Sequence, residues 1–298
     1  MTICEQTLYH ISVISQFCVV QRIDVQVISK FCLEDFALIV DLPDGIRLSG
    51  AIEVREKFGT VSGGDILDVG TEEGDFIDTL MKTLLDYNSF TGIDIVEDEL
   101  EKAREQLKDA PVNFKVMNAE TMNFQDNKFD TVCISYSIHH LENIEDVLAE
   151  MYRVLKPGGH FIIQELYSDG EQTTAQQVDK AVHDLNAKID TLFGIPHFEA
   201  LTRQKLKDLV NNVGLDEVES FESSWAVKCL FCKDVRDCHN PKSADNIDYV
   251  LKRIDDDLER VRGHPSFDEL RKEAESLKER VRIDGSAQAS LMYFFGKK

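Results

Sequence analysis

Basic residues are scarce in this chain of 298 residues: 33 Lys and Arg face 55 Asp and Glu, a formal net charge of −22. Binding to nucleic acid without sequence preference depends on Lys and Arg that neutralise phosphates and release counterions, so the shortage argues against it. An anionic membrane surface is disfavoured for the same reason. Long apolar runs are missing too. No stretch approaches the ~18–20 uninterrupted apolar residues of a membrane span. The most apolar N-terminal piece, Ile11 to Val20, is preceded by Glu5 rather than by a basic region and makes a poor signal peptide. A cytoplasmic setting is the expectation. The seven cysteines agree with it, being odd in number and scattered, unlike a small secreted disulfide scaffold.

What is present is a globular balance, 43% hydrophobic and 30% charged, in a length that suits one large α/β domain or one domain with an elaboration. No internal repeat or low-complexity tract interrupts it. Residues 1–32 hold Cys4, Cys18 and Cys32, few charges, and a short alternation at Ile23, Val25 and Val27 that hints at a strand. From about Leu48 to Glu165, short apolar runs alternate with amphipathic segments, which is the pattern of parallel strands joined by helices. The strands read as Asp65–Val69, Phe90–Asp94, Val112–Met117, Phe129–Ser135 and Gly159–Glu165. Pro157-Gly158-Gly159 is expected to stop a helix around Ile144–Leu155 and turn the chain into the last of these strands.

Beyond Glu165 the alternation loosens. Helices are expected over Thr173–Leu192 and Thr202–Val213, then strands over Glu217–Glu222 and Ser290–Phe295. Between those two strands, Ile247, Leu251, Ile254, Leu258 and Val261, then Phe267, Leu270, Ala274, Leu277 and Val281, recur at steps of three and four around Gly263-His264-Pro265-Ser266. This reads as an inserted helical hairpin whose seams seal its two helices together, with Ser266 and Glu269 as a capping box. A lid over a substrate pocket, or an element pairing two copies as a homodimer, is its secondary role.

The stretch Asp65-Ile66-Leu67-Asp68-Val69-Gly70-Thr71-Glu72-Glu73-Gly74 runs from an apolar strand through glycines into a helix, where backbone amides can approach a ligand. Asp94 closes the next strand, where an acidic side chain can accept both hydroxyls of a ribose. The spacing Gly70-x-x-x-Gly74 is not the G-x-G-x-x-G of nicotinamide or flavin binders, although the strand–glycine–helix–acid pattern is shared with them.

These residues resemble the class I S-adenosylmethionine-dependent methyltransferases, and among them the type 11 group that includes ubiquinone/menaquinone methyltransferase-like enzymes. The matching segments follow in order: Leu67-Asp68-Val69-Gly70-Thr71, Gly92-Ile93-Asp94, Asn118-Ala119-Glu120, Phe129-Asp130-Thr131-Val132 leading to His139-His140-Leu141, and Arg153-Val154-Leu155-Lys156-Pro157-Gly158-Gly159. The resemblance implies a doubly wound, mostly parallel Rossmann-like sheet, with S-adenosylmethionine as cofactor and a small molecule as methyl acceptor. It implies that Asp68, Gly70, Thr71 and Gly74 hold the methionine end and Asp94 the ribose. Ile95 would lie against adenine, Asn118 and Ala119 would meet its edge, and Ser135 and Tyr136 would line the mouth of the acceptor pocket. Glu72 stands where the family usually has glycine, and Asn118 where aspartate is common.

Methyl transfer requires alignment, exclusion of water and, for a protonated nucleophile, a base. The candidates near the strand ends are His139, His140, Glu165 and Tyr167. Against these stand plainer roles: the two histidines packing or capping a helix start, and Glu165 as a solvated or capping carboxylate. His183 and His197 fall in the region expected to cover the pocket and read as surface or packing histidines. No metal is assigned. Cys229 and Cys232 with the adjacent Cys238-His239 make an awkward tetrahedral set, and the thiols read as apolar loop residues. The expected organisation is an N-terminal extension over 1–47, a cofactor-binding domain over 48–241, the hairpin over 242–286 and a final strand over 287–298. Two other classes stay open: a catalytically silent binding or partner subunit, motivated by Glu72, and a nicotinamide-dependent oxidoreductase.

Overall fold

The apolar runs form a seven-stranded sheet among the described residues. A computed structural model describes residues 49–223 and 240–298, all within one unit, Asp41–Lys298. The readings made for residues 1–32, and for Cys229, Cys232, Cys238 and His239, lie outside the described residues.

The elements are α1 (Ser49–Phe58), β1 (Asp65–Val69), α2 (Asp75–Thr83), β2 (Ser89–Asp94), α3 (Glu97–Gln106), β3 (Val112–Val116) and β4 (Phe129–Ser135). A 3-10 turn (Ile138–His140) follows, then α4 (Ile144–Val154), β5 (Leu155–Leu166), α5 (Thr174–Leu192), α6 (Arg203–Asn212), β6 (Asp216–Ser223), α7 (Ala244–Arg260), α8 (Phe267–Asp284) and β7 (Leu291–Lys297). The strand order is β3-β2-β1-β4-β5-β7-β6; β1 pairs in parallel with both β2 and β4, while β7 runs antiparallel between β5 and β6. This is the expected doubly wound, mostly parallel sheet. The chain reverses its direction of travel across the sheet between β1 and β4, which places a crevice at their carboxyl ends.

Strands buried on both faces need apolar side chains on both faces. Leu67, Val69, Val132, Ile134 and Phe161 pack on one side with α4 and α6. Ile66, Phe90 and Ile162 pack on the other with Phe58, Ile77 and Leu80. A third cluster lies apart from the sheet: Val178, Val182, Leu185 and Ile189 of α5 close over Ile254, Leu258, Leu270, Ala274 and Val281 of α7 and α8. The seams of the hairpin therefore do not simply seal its two helices against each other. They share a core with α5, whose start is tied to the sheet: Gln176 Nε2 donates to Gln288 O (3.2 Å) and Ser290 Oγ (3.1 Å).

Two local expectations need correction. Ser266 has helical backbone angles and makes no side-chain cap, its amide donating instead to His264 Nδ1 (3.1 Å), so the capping box with Glu269 does not form. A capping box does open α5, between Thr173 and Gln176. Pro157-Gly158 does not precede β5 but interrupts it. Leu155 already pairs with Phe129, the register shifts, and the ladder resumes at His160, since proline brings no amide to it. Gly158 N instead donates to Lys298 O (2.6 Å).

Candidate functional site

The crevice is built by the turn after β1. Gly70 adopts φ 66°, and a Cβ there would stand 2.5 Å from Ser137 Oγ, which donates to Gly70 O (3.0 Å). Glycine is needed because the ends of β1 and β4 meet at this point. Gly74 (φ 87°) caps α2 beside Leu107, whose side chain a Cβ would approach to 2.8 Å. Glu72 between them also takes a left-handed backbone (φ 45°), unusual for a residue other than glycine. Its amide donates to Asp94 Oδ2 (3.0 Å) while Val96 N donates to Asp94 Oδ1 (2.9 Å), so the β2 acid fixes both its own turn and the neighbouring loop.

Asp68 lies beneath the loop, 1% exposed. Its Oδ2 accepts from Thr71 Oγ1 (2.7 Å) and its Oδ1 from Cys133 Sγ (3.4 Å). Burial raises its pKa to about 7 despite those two bonds, with the charges of Asp94 and Glu72 adding to the rise. Glu72 is also shifted upward, by burial first and then by Asp94 and Glu99.

A cavity of about 540 Å³ opens from this loop. Of the residues singled out from the sequence, Gly70, Thr71, Glu72, Ser135, Tyr136, His139, His140, His183 and His197 line it. Asp68, Gly74, Asp94, Ile95, Asn118 and Ala119 do not line it: Asp68 is buried beneath the loop, Gly74 precedes α2, Asp94 ends β2, Ile95 follows it at 69% exposure, and Asn118 and Ala119 follow β3. Tyr136, held in a left-handed conformation, accepts at its hydroxyl from Gln288.

Tyr167 is withdrawn as a catalytic candidate. It is buried in the core on the α4 and α6 side, with the Arg203 guanidinium 5.4 Å from its ring, and it does not line the cavity. Glu165 is neither solvated nor a cavity residue. At 1% exposure it accepts from Ile138 N at Oε2 (2.8 Å), and from His139 Nδ1 (2.9 Å) and its neighbour Leu166 N (2.8 Å) at Oε1. It positions His139 rather than facing a substrate.

His183 and His197 are not surface histidines: both line the cavity beside His139 and His140. His197 Nδ1 donates to Asp190 Oδ2 (2.7 Å), and its Nε2 lies 3.0 Å from His183 Nε2. His140 Nδ1 donates to Pro196 O (3.2 Å). Burial, reinforced by the neighbouring histidines, lowers the pKa of His140 to about 4. Burial likewise lowers His197, against the pull of Asp190, so both rings are neutral at pH 7. Sequence spacing could not join them, since α5 and the loop after it meet the 3-10 turn only through tertiary packing.

Residues 67–163 match the family described as a methyltransferase domain, type 11. That stretch is a class I methyltransferase domain. Its family uses S-adenosylmethionine, and the match sets aside the nicotinamide-dependent alternative. A demethylmenaquinone methyltransferase of Bacteroides fragilis is 37% identical over 105 residues, 34% of this chain and 42% of that protein. A ubiquinone/menaquinone biosynthesis C-methyltransferase of Desulfotalea psychrophila is 35% identical over 109 residues, 37% of this chain and 44% of its own length. The matched stretch thus spans less than half the length of these relatives. Among solved structures, one from Bacillus halodurans (TM-score 0.50, 17% identity) covers 84% of this chain and 99% of its own. The [4+2]-cyclase SpnF (TM-score 0.51, 14% identity) covers 82% and 78%. These two likenesses show the fold, and a cyclase among them illustrates that the fold alone does not fix a reaction.

Proposed function

We propose that the chain binds S-adenosylmethionine on the β1 loop and transfers its methyl group to a small molecule held against the histidines. The observation that carries this is the charge of the loop. Asp68, Glu72, Glu73, Asp75 and Asp94 crowd the carboxyl ends of β1 and β2. Carboxylates there repel a dinucleotide pyrophosphate but suit a ligand that bears a sulfonium and an ammonium and no phosphate. The donor set fits the cofactor: Asp68 can meet the ammonium once ionised, Asp94 has the lone pairs for the ribose diol, and Asn118 an amide for the adenine edge.

When bound, the cofactor supplies a methyl group already activated by the sulfonium. The chain's part is to align the acceptor, exclude water and take its proton. His139, oriented by Glu165, and the neutral ring of His140 are the groups that can take a proton inside the cavity. The names of the curated relatives favour an acceptor with an acidic hydroxyl, such as a hydroquinone, whose deprotonation makes its oxygen or ring carbon nucleophilic. No helix among the described residues is long and apolar enough to cross a membrane, and we place the reaction in the cytoplasm on the composition of the chain.

Thermal unfolding with S-adenosylhomocysteine, S-adenosylmethionine and NAD added separately tests the cofactor. A ligand at ~100 times its dissociation constant stabilises by ~2.7 kcal/mol. The first two should shift the transition and NAD should not; a shift with NAD alone would overturn the proposal. Glu72, which lines the cavity, favours a second reading as a silent binding subunit. Ligand binding without methyl transfer to any offered hydroquinone would support it.

A further inference from the structure

The four cavity histidines come from three places: His139 and His140 from the 3-10 turn, His183 from α5 and His197 from the loop after it. Their ring centroids lie 4.2–5.4 Å apart in five pairs. One ligating atom from each of His139, His140 and His197 falls within 4.8 Å of the others. In all three rings Nδ1 is engaged, with Glu165, Pro196 O and Asp190 respectively. An Nδ1–H held by an outer acceptor leaves the Nε2 lone pair exposed, which is how imidazoles are oriented toward metal ions.

His183 supplies an independent observation. Two buried side-chain atoms, His183 Nδ1 and Asp184 Oδ1, have no hydrogen-bond partner and stand 3.6 Å apart. If the His183 proton sits on Nε2 it bonds His197 Nε2, and both of those atoms go unsatisfied. With the proton on Nδ1, Asp184 is reached on a small movement, but two Nε2 lone pairs then face each other at 3.0 Å. A cation between the two nitrogens removes the conflict. Zinc–nitrogen bonds of about 2.0–2.1 Å put tetrahedral ligand nitrogens about 3.3 Å apart, close to that separation.

We propose that His139, His140 and His197 bind one divalent transition-metal ion of the zinc type, with His183, which lies outside that convergent set but 3.0 Å from His197 Nε2, moving in as fourth donor. An all-imidazole set selects zinc, copper, iron or nickel over magnesium or calcium. Binding does not depend on the methyl-transfer proposal. If that proposal holds, the ion lies in the wall of the acceptor cavity, and an acceptor hydroxyl would take the place of His183 as fourth ligand, its proton passing to the displaced imidazole.

The whole chain, stripped with chelator, is titrated with Co2+ without cofactor or acceptor, so the outcome is separate from that of methyl transfer. One cobalt per chain should bind with visible d–d absorption and be displaced by Zn2+. His140→Ala, His197→Ala and Asp190→Asn should each weaken binding at least ~10-fold, while C229S/C232S/C238S should bind as the parent does. Far-ultraviolet circular dichroism checks each fold, and His140→Ala, at a half-buried position, decides if His197→Ala does not fold. Absence of saturable binding would overturn the site and leave a proton shared between His183 and His197. Binding unaffected by His140→Ala, or a thiolate-to-cobalt charge-transfer band lost in the serine variant, would overturn it equally.

Discussion

Glu165 holds His139 by a single bond of 2.9 Å between Oε1 and Nδ1, and its other oxygen holds the backbone of Ile138. A strand-end carboxylate is thus spent on the shape of the 3-10 turn. Glu165→Ala would leave a buried amide and a buried imidazole without an acceptor, at a cost of about 1–3 kcal/mol. Urea unfolding should show that loss, with Glu165→Gln retaining part of the stability; an unchanged midpoint would mean the turn is held elsewhere.

Asp94 is expected to be worth roughly 1–3 kcal/mol to cofactor binding, because Asp94→Ala leaves the ribose hydroxyls without an acceptor and frees the Glu72 amide. Calorimetry with S-adenosylhomocysteine should show a roughly 5- to 150-fold weaker dissociation constant. Equal affinity would sink the assigned pose.

Asp68 makes stability depend on pH in a stated direction. Its folded pKa is about 7 against the ordinary value of 3.8, so between these limits the folded chain holds a proton that the unfolded chain has released. Its contribution is complete below pH ~4 and is lost as the pH rises toward 7, by up to about 1.4 kcal/mol per unit. Asp68→Asn should remove that slope from the difference between the two proteins' unfolding curves. The ammonium of the ligand favours the carboxylate, so binding of S-adenosylhomocysteine near pH ~6.5 should release a proton, seen as a buffer-dependent enthalpy.

Glu72→Gly replaces a strained left-handed residue by one that adopts φ 45° freely. Relief of ~1–2 kcal/mol is partly offset by glycine's greater freedom when unfolded, leaving a net gain below about 1 kcal/mol. Removing a carboxylate near that of the ligand should also tighten S-adenosylhomocysteine binding. Weaker binding would show that Glu72 contacts the cationic end instead.

The sheet was legible because each strand carries its own signal. Ile66, Leu67 and Val69 are apolar on both faces, and Gly70 marks the end of the strand. Thr173 and Gln176 open α5 within one residue of the expected start. What was hidden depends on contacts between distant segments. Nothing local tells that Ile254 packs beside Leu185, or that His183 meets His197 across the end of α5. Ser266 carried a correct capping pattern, yet His264 took its amide first. Tyr167, next to the end of β5, looked as available as Tyr136; burial against Arg203 and the α4–α6 core separates them.

The placement of β7 bears on how the protein is made. β6 pairs with β7, which also completes the exposed edge of β5, and Ser290 and Ala289 at its entrance hold α5 through Gln176 and Asp179. Without residues 286–297, β5 lacks its antiparallel partner and α5 lacks its bonds to Gln288, Ala289 and Ser290, while the contacts of the glycine loop and of the 3-10 turn with Glu165 need none of these residues. The cofactor end can therefore mature during synthesis. The histidine end waits for residues 286–297, and until they arrive a ribosome-bound chain offers holding chaperones an open β5 edge.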